Sequence, residues 1–479
     1  MHDLEVLQKG GYKGAGLAKL KLTCPLSTFP LEILELGDTL EQLDLSGTGL
    51  SSLPPNLGAS LPHLKIAFFS NCNFTVFPRE LAACPVLEMV AFRDNAMAEV
   101  PEDSLPPRLR WLILTGNRIA ALPASIGRCT RLQKCMLAGN LLQTLPDEMA
   151  QCTKLALLRL SANRFESLPA WLFTLPELAF LSFAGNPCAP PPPASITRTV
   201  RGLVDIDWAD LEVQHTLGQG ASGIISQGLW KQSAEYAEEV AIKIFHGALT
   251  SDGTPADELA ACSAAGSHES LIMILGRIQN YPDEDPAVVA AVDQFQGGVV
   301  MQLIPPYYTV LGNPPTLASC TRDTYPASAA LDASHALSML VGLAGAAAHL
   351  HERGIAHGDL YAHNILASND DEHALLGDFG AATIYGHGSE RACGVEKIEV
   401  LAFAHLLEDM LGLIATGLKD GDEQKEDEGQ PLRQGLQKLH AKCAVADVQS
   451  RPTFDEVLGE LEGMMGWRGM MRIPDVVPN

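Results

Sequence analysis

The first 190 residues repeat one pattern of leucines, and this repeat constrains the fold more than any other feature. The frame L-x-x-L-x-L-x-x-(N/C/T)-x-L-x-x-L-P, with apolar exchanges, starts at Leu40, Leu64, Leu87, Leu109, Leu132 and Leu155, and a partial copy starts at Leu178. Successive starts lie 22 to 24 residues apart. A unit of this length cannot bury its own apolar side, so neighbouring units must stack into a solenoid that shares one core.

Within each frame, the two leucines of L-x-L point inwards from a short strand, and the residue between them points outwards. A polar position follows the strand in most copies, at Asn95, Asn117, Asn140 and Asn163. Their side-chain amides can bind backbone groups where the chain leaves the strand. The frame and its period resemble leucine-rich repeats, which implies an α/β leucine-rich-repeat solenoid.

The outward strand positions are unusually apolar, and Arg93, Lys134 and Arg159 lie beside them. These positions are Ile66, Phe68, Met89, Trp111, Ile113, Met136, Leu157 and Phe180. A large exposed apolar band typically marks a binding surface, so we expect a protein substrate or regulator on the concave face. The alternative is that this band packs against the second half of the same chain.

Charge and composition exclude some partners. The formal net charge is −24, which disfavours binding to nucleic acid or to anionic membranes. The N-terminus, MHDLEVLQKGGYKG, has no signal-peptide pattern, and the apolar stretch 337–350 is too short for a membrane span. We therefore expect a cytoplasmic protein. Cys84, Cys129 and Cys152 recur three residues before a repeat leucine, as small buried side chains would.

A change in composition divides the chain. The run NPCAPPPPAS at 186–195 cannot continue a repeat and is typical of a stiff, extended linker. The expected organisation is therefore a solenoid over 1–190, a proline-rich linker over 191–208 and a second domain over 209–472.

The second domain opens with a glycine-rich stretch, LGQGASGII at 217–225, which is followed by VAIK at 240–243. Glycines allow backbone N–H groups to approach phosphate oxygens, and Lys243 adds a positive charge. Glu258 lies on a predicted helix and can orient Lys243 through an ion pair. Asp257 competes for this role, but neighbouring helix positions point about 100° apart, so only one of the two can face the lysine.

The stretch HGDLYAHNIL at 357–366 contains H-x-D-x-x-x-x-N, and DFG follows at 378–380. Together with the glycine loop, VAIK and the helix glutamate, these motifs appear in order over about 160 residues. In this order they resemble protein kinases, and SRPTFDEVLGEL at 450–461 resembles the end of tyrosine-kinase-like serine/threonine kinases. The whole chain resembles a soluble leucine-rich-repeat protein kinase, with a bilobal α+β protein kinase fold after the solenoid.

The resemblance implies ATP and Mg²⁺ as cofactors and a role for each motif residue. Asp359 would accept the proton of the substrate hydroxyl, and Asn364 and Asp378 would hold Mg²⁺ on the ATP phosphates. The segment 297–306 would lead into the hinge between lobes, with Met301 guarding the adenine pocket and backbone groups of Gln302 and Ile304 binding adenine. The implied nucleotide-binding set is Leu217, Gly218, Gln219, Gly220, Ala221, Ser222, Gly223, Ile225, Ala241, Lys243, Met301, Gln302, Ile304 and Leu366.

Several positions depart from the family pattern. Gly358 replaces the arginine that grips a phosphorylated activation loop. No A-P-E motif follows DFG, and only eighteen residues separate Gly380 from Glu399, which we place at the usual aspartate of the long C-lobe helix. We therefore expect no phosphorylation switch in this segment, and we expect Glu396 to pair with Arg451.

Two further departures concern charge near the transferred phosphate. Tyr361 stands where serine/threonine kinases usually have lysine, and His363 stands where tyrosine kinases tend to have arginine, so we expect neither cation at neutral pH. The leading hypothesis is an active protein serine/threonine kinase in signal transduction whose repeats recruit a partner. The alternative hypothesis is a pseudokinase scaffold that acts by protein binding.

Overall fold

A computed structural model describes residues 2–189, 203–220, 222–245, 247, 249–250, 252–282, 297–368, 370, 372–386, 390–417 and 423–471. Two compact units are present. The first comprises Met1–Ala189 together with Ser251–Gly253, and the second comprises Pro190–Thr250 and Thr254–Asn479.

The first unit is the solenoid predicted from the repeats. Its eight parallel strands pair in chain order: β1 (Lys19–Lys21), β2 (Gln42–Asp44), β3 (Ile66–Phe68), β4 (Met89–Ala91), β5 (Trp111–Ile113), β6 (Lys134–Met136), β7 (Leu157–Arg159) and β8 (Phe180–Ser182). The opposite side carries α1 (Leu4–Gln8), α2 (Leu57–Ser60) and 3₁₀ helices at Leu31–Leu36, Arg79–Ala83, Ala124–Arg128, Asp147–Gln151 and Ala170–Thr174. The frame leucines form the core, and Cys84, Cys129 and Cys152 are buried among them, as expected.

The repeat asparagines form the predicted ladder of backbone hydrogen bonds. The amide of Asn140 donates to the carbonyls of Leu114 and Leu137, both at 2.9 Å, and its Oδ1 accepts from the N–H of Ile119 at 3.1 Å. Asn117 and Asn163 make the equivalent bonds, each to its own repeat and to two backbone groups of the preceding repeat. Each amide therefore joins two neighbouring units, because two of its bonds reach the preceding repeat.

The outward strand face is less exposed than its sequence suggests. Met89, Leu157 and Phe180 are buried, so the prediction of a continuously exposed band is wrong at these three positions. Near Leu157 and Phe180, Asp252 of the same unit forms an ion pair with Arg159 and accepts a hydrogen bond from Ser182. The half-buried remainder of the band comprises Ile66, Phe68, Trp111, Ile113 and Met136. Lys134 covers part of it, with Nζ 4.7 Å from the Trp111 ring.

The second unit begins with a mixed six-stranded sheet. Its strands are β9 (Val204–Asp207), β10 (Leu211–Gln219), β11 (Gly223–Lys231), β12 (Ala237–Phe245), β13 (Ile274–Gln279) and β14 (Gly298–Gln302). They lie side by side in the order β10-β11-β12-β14-β13-β9. Helix α3 (Pro255–Ala265) lies between β12 and β13 and is capped by the Thr254 side chain, which accepts from the N–H of Asp257.

Strand β9 lies inside the stretch expected to be a linker. It pairs in parallel with β13, and Ile206 packs in a core with Val240, Ile242, Ile278 and Val300. The folded part of the second unit therefore starts before residue 209. The alternating pattern of VDID was too short to identify this strand without its pairing partner.

The rest of the second unit is mainly helical. Its helices are α4 (Ala333–Glu352), α5 (Glu390–Gly417), α6 (Glu423–Cys443) and α7 (Phe454–Met471). Two small sheets join β15 (Thr309–Val310), β17 (Ile365–Ser368) and β18 (His373–Leu376), and β16 (Ile355–Ala356) with β19 (Thr383–Ile384). In the described part of the chain, α4 alone has the length and composition of a membrane span, and 56% of its apolar window is buried inside the fold, as in a core helix.

Candidate active site

A glycine-rich hairpin forms one wall of the site. β10 and β11 are antiparallel neighbours, with Gly218 opposite Ile225, and the N–H of Gly220 donates to the carbonyl of Gly223 at 3.0 Å. A side chain at Gly223 would place its Cβ 2.1 Å from the carbonyl oxygen of Ile244, so packing requires glycine there. Gly218 and Gly220 have open space where a Cβ would stand. Ala221 lies outside the described residues.

Lys243 extends from β12 into the cleft and contacts two carboxylates. Its Nζ forms a buried ion pair with Glu258 on α3 and lies 3.5 Å from the Asp378 carboxylate. Glu258, and not Asp257, faces the lysine. Asp257 instead accepts from the hydroxyl of Thr254 at 2.6 Å, at the start of α3.

The pKa values of this cluster follow from competition between burial and charge. Burial alone would lower the pKa of Lys243, but the charges of Asp378 and Glu258 outweigh it, and the pKa lies above its ordinary value. Burial alone would raise the pKa of Asp378, and the charge of Lys243 reverses this, so the pKa is lowered. Lys243 and Asp378 are therefore both ionised at neutral pH.

The catalytic-loop motif holds Asp359 and Asn364 together. The amide of Asn364 donates to the Asp359 carboxylate and to the Asp359 carbonyl, both at 3.0 Å. The N–H of Gly377 donates to the carbonyl of Asn364 at 3.0 Å, which places Asp378 beside it. Asp378 has φ +57°, a left-handed conformation that aspartate tolerates better than most residues.

A buried carboxylate on α5 braces the start of this loop. Glu399 accepts from the N–H of His357 at 3.1 Å and from the N–H of Gly358 at 2.5 Å, and it also binds Nε2 of His351 at 2.7 Å. Burial would raise the pKa of Glu399, but the hydrogen bond and charge of His351 lower it overall. Gly358 has φ +73°, which glycine adopts without strain. Glu399, which stands at the position expected for the C-lobe helix aspartate, thus braces the start of the catalytic loop.

A cavity of about 140 Å³ lies between the glycine hairpin and the DFG motif. Of the implied nucleotide-binding set, it is lined by Gly220, Ser222, Gly223, Ile225, Lys243 and Met301. Glu258, Cys262, Asp378 and Phe379 also line it. The described lining of this cavity does not include the other described members of the set, which are Leu217, Gly218, Gln219, Ala241, Gln302, Ile304 and Leu366. Leu217 is exposed.

The expected backbone role of Gln302 needs a correction. Its N–H donates to the carbonyl of Met273 at 3.0 Å, because the end of β14 is tied to the chain before β13. That N–H is therefore occupied, and only the carbonyl of Gln302 can accept from an adenine amino group. The role of Ile304 stays a prediction.

The expected partner of Arg451 is also wrong. Glu396 accepts from the N–H of Phe454 at 2.8 Å, whereas Arg451 donates to the carbonyls of Val445 and Lys397, both at 3.1 Å. Burial lowers the pKa of Arg451 to about 10, and Asp447 is the carboxylate whose charge partly offsets this. Helix α5 begins at Glu390, so Glu396 lies on this helix.

Asp323 is a site residue that the sequence analysis did not identify. Its buried carboxylate binds His363 through the backbone N–H at 3.2 Å and through Nδ1 at 2.7 Å. Burial lowers the pKa of His363, but the hydrogen bond and charge of Asp323, with the charges of Asp359 and Asp378, raise it overall. More of His363 is thus protonated at neutral pH than expected. Tyr361 is buried and its ring lies 4.9 Å from that of His363.

The donor set suits Mg²⁺. Asn364 and Asp378 offer an amide oxygen and a carboxylate on adjoining backbone, and Mg²⁺ prefers a few protein oxygens completed by water and substrate phosphates. No cluster of three or more His, Cys, Asp or Glu ligands occurs in the described ranges, so these residues alone do not form a closed metal cage. The residues present therefore fit a cation that is shared with a phosphate ligand.

Comparison with protein families agrees with this geometry. Residues 211–401 match the family of protein tyrosine and serine/threonine kinases, so the second unit is a protein kinase domain. Residues 107–165 and 39–61 match leucine-rich-repeat families. The chain is thus a leucine-rich-repeat protein that contains a protein kinase domain, with the solenoid followed by a bilobal kinase fold. No curated protein matches it.

Proposed function

We propose that the protein is an ATP- and Mg²⁺-dependent protein serine/threonine kinase whose repeats bind a protein substrate or regulator. One observation supports it above all others: Lys243 lies between Glu258 and Asp378 at the cleft. This is the arrangement in which a lysine is held towards ATP phosphates and a carboxylate is held towards their metal ion. We also propose a cytoplasmic location and a role in signal transduction.

In this mechanism, Lys243 binds the phosphates of ATP, and the backbone of the glycine hairpin covers them. Asn364 and Asp378 would hold Mg²⁺, which supplies positive charge to the β- and γ-phosphates when bound. Asp359 accepts the proton of the acceptor hydroxyl, and the amide of Asn364 fixes the carboxylate in place. Most of the rate enhancement comes from positioning and charge neutralisation, with a smaller share from proton transfer.

A protein partner fits the half-buried part of the outward strand face, at Ile66, Phe68, Trp111, Ile113 and Met136. Aromatic and methionine side chains are enriched at protein interfaces, and a curved sheet offers many of them at once.

A second function is a pseudokinase scaffold that acts through protein binding. The observation that favours it is the catalytic loop itself, where Gly358 replaces arginine and the buried Tyr361 replaces lysine. Transfer would then lack part of the charge stabilisation that most protein kinases have.

The deciding experiment gives the purified chain radiolabelled ATP and Mg²⁺, with casein or the chain itself as acceptor. Asp359→Ala and Lys243→Ala are measured in parallel. Label on wild type that falls at least a hundredfold in both variants supports the kinase. Equal label in all three proteins would leave the scaffold function. A thermal shift with MgATP, present in wild type and absent in Lys243→Ala, measures nucleotide binding separately.

A further inference from the structure

We propose that Asp323 is a positioning residue. Its carboxylate clamps His363 of the catalytic loop and thereby fixes Asn364 and Asp359 for phosphoryl transfer. This inference rests on the proposed kinase function. It assigns a role to the stretch between β15 and α4, which carries none of the motifs of the resemblance.

The contact itself is nearly closed to water. The Asp323 side chain is 2% exposed, and its two oxygens bind two different groups of one residue, the backbone N–H and the ring Nδ1 of His363. A carboxylate can only accept, so Nδ1 carries the proton in this bond. The clamp therefore fixes both the backbone and the ring orientation of His363.

The position of His363 links the clamp to the reacting groups. His363 immediately precedes Asn364 in a short 3₁₀ turn, Ala362–Asn364, and the N–H of Asn364 donates to the carbonyl of Tyr361 at 3.0 Å. Since the Asn364 amide holds the carboxylate of Asp359, a shift of His363 would move both residues.

Asp323 is itself anchored to helix α5. The neighbouring Arg322 forms ion pairs with Glu408 and Asp409 and donates to the carbonyl of His405 at 3.2 Å. The hydroxyl of Tyr325 also donates to Asp409 at 3.3 Å. Helix α5 therefore holds both ends of the catalytic loop. It binds the start of the loop directly through Glu399, and it holds the end of the loop through the Arg322–Asp323 pair.

The same stretch meets the loop at a second place. The N–H of Leu311 donates to the carbonyl of Ile365 at 2.9 Å. Gly312 lies so close to the loop that an added Cβ would be 2.9 Å from the Cβ of Ala362. This close contact supports the clamp, because the stretch cannot move away from the loop without losing several contacts.

The test uses the full-length chain with Asp323→Ala and Asp323→Asn. The control is Glu372→Gln, which alters another acid–histidine pair of the same domain, His335–Glu372 at 3.1 Å, away from the catalytic loop. The measurements are kcat and KM for ATP with casein, the melting temperature, and hydrogen exchange of the peptide 357–366.

We expect Asp323→Ala to lower kcat at least tenfold and to speed exchange of the peptide, with KM for ATP within twofold. Asp323→Asn should lose less, and combining it with His363→Gln should add little, because the two residues act as one pair. Glu372→Gln should leave all four measurements unchanged. The asparagine variant keeps the test open if the alanine variant does not fold.

Two results would overturn the clamp. One is an unchanged kcat in both Asp323 variants, and the other is a KM for ATP that rises by the same factor as kcat falls. If wild type binds MgATP but transfers no label, the kinase proposal fails, and hydrogen exchange then decides the clamp alone. Faster exchange in Asp323→Ala would support it, and unchanged exchange would refute it.

Discussion

The carboxylate of Glu399 accepts a hydrogen bond from the backbone N–H of Gly358, at the position where most protein kinases carry arginine. The same carboxylate holds the N–H of His357 and the ring of His351. One buried acid thus satisfies three donors, and the catalytic loop depends on it for its shape.

Replacing Glu399 with alanine should destabilise the kinase domain and abolish transfer. Each buried donor left without a partner costs about 1–3 kcal/mol, and we expect a total loss of about 3–5 kcal/mol. Urea unfolding and label transfer measure the two effects. The exposed Glu352→Ala, which alters a surface ion pair, should stay within about 0.5 kcal/mol of wild type. A Glu399→Ala protein as stable and active as wild type would contradict the brace.

The two glycines of the hairpin should respond differently to alanine. Gly223→Ala places a methyl group against the carbonyl of Ile244, and the strain should cost about 1–3 kcal/mol. Gly220→Ala meets nothing within 4 Å and should leave the melting temperature unchanged. Thermal unfolding of the two variants without nucleotide makes the comparison, and equal melting temperatures would show that the strand pairing at Gly223 differs from the structure.

The asparagine ladder predicts a graded loss of stability in the solenoid. Asn140→Ala removes three bonds to buried backbone groups, and we expect a loss of about 2–4 kcal/mol. Asn95→Ala makes an equivalent change at a half-buried position, where water can replace part of the lost bonding, so the loss should be smaller. Chemical denaturation followed by circular dichroism can rank the two, and a larger loss at Asn95 would be inconsistent with the ladder.

His405 predicts a loss of stability on mild acidification. Burial, with the nearby positive charge of Arg322, lowers the pKa of His405 from its ordinary 6.5 to about 4. Between those values the unfolded chain binds the proton and the folded chain does not. The contribution of neutral His405 to the free energy of unfolding is therefore fully present above pH 6.5. It is lost as the pH drops towards 4, by at most about 3 kcal/mol at ~1.4 kcal/mol per pKa unit.

The measurement is the free energy of unfolding of wild type and His405→Gln across this pH range. The variant cannot take up the proton, so the two curves should diverge as the pH falls, with wild type losing more. Glu408 and His440 also act on His405, and both are retained in the variant. Parallel curves would contradict this prediction, because they would mean that His405 takes up its proton as readily in the folded protein as in the unfolded chain.

The sequence alone determined the architecture of both halves. A leucine frame that returns every 22 to 24 residues can bury its apolar side only by stacking, so period and core positions followed from local pattern. The order of Gly220, Lys243, Glu258, Asp359 and Asp378 likewise indicated the site, because each motif carries its own chemistry. The choice of Glu258 over Asp257 needed the structure, since both lie on the same turn of helix.

Only the tertiary structure decided how the catalytic loop is held. Asp323 and His363 are 40 residues apart, and no spacing rule connects an acid in an irregular stretch to a histidine in a loop. Helix α5 brings Arg322 and Glu399 to opposite ends of that loop, and it places Glu396 against Phe454 and not Arg451. The burial of Leu157 and Phe180 was equally hidden, because strand alternation reports which way a side chain points and not what covers it.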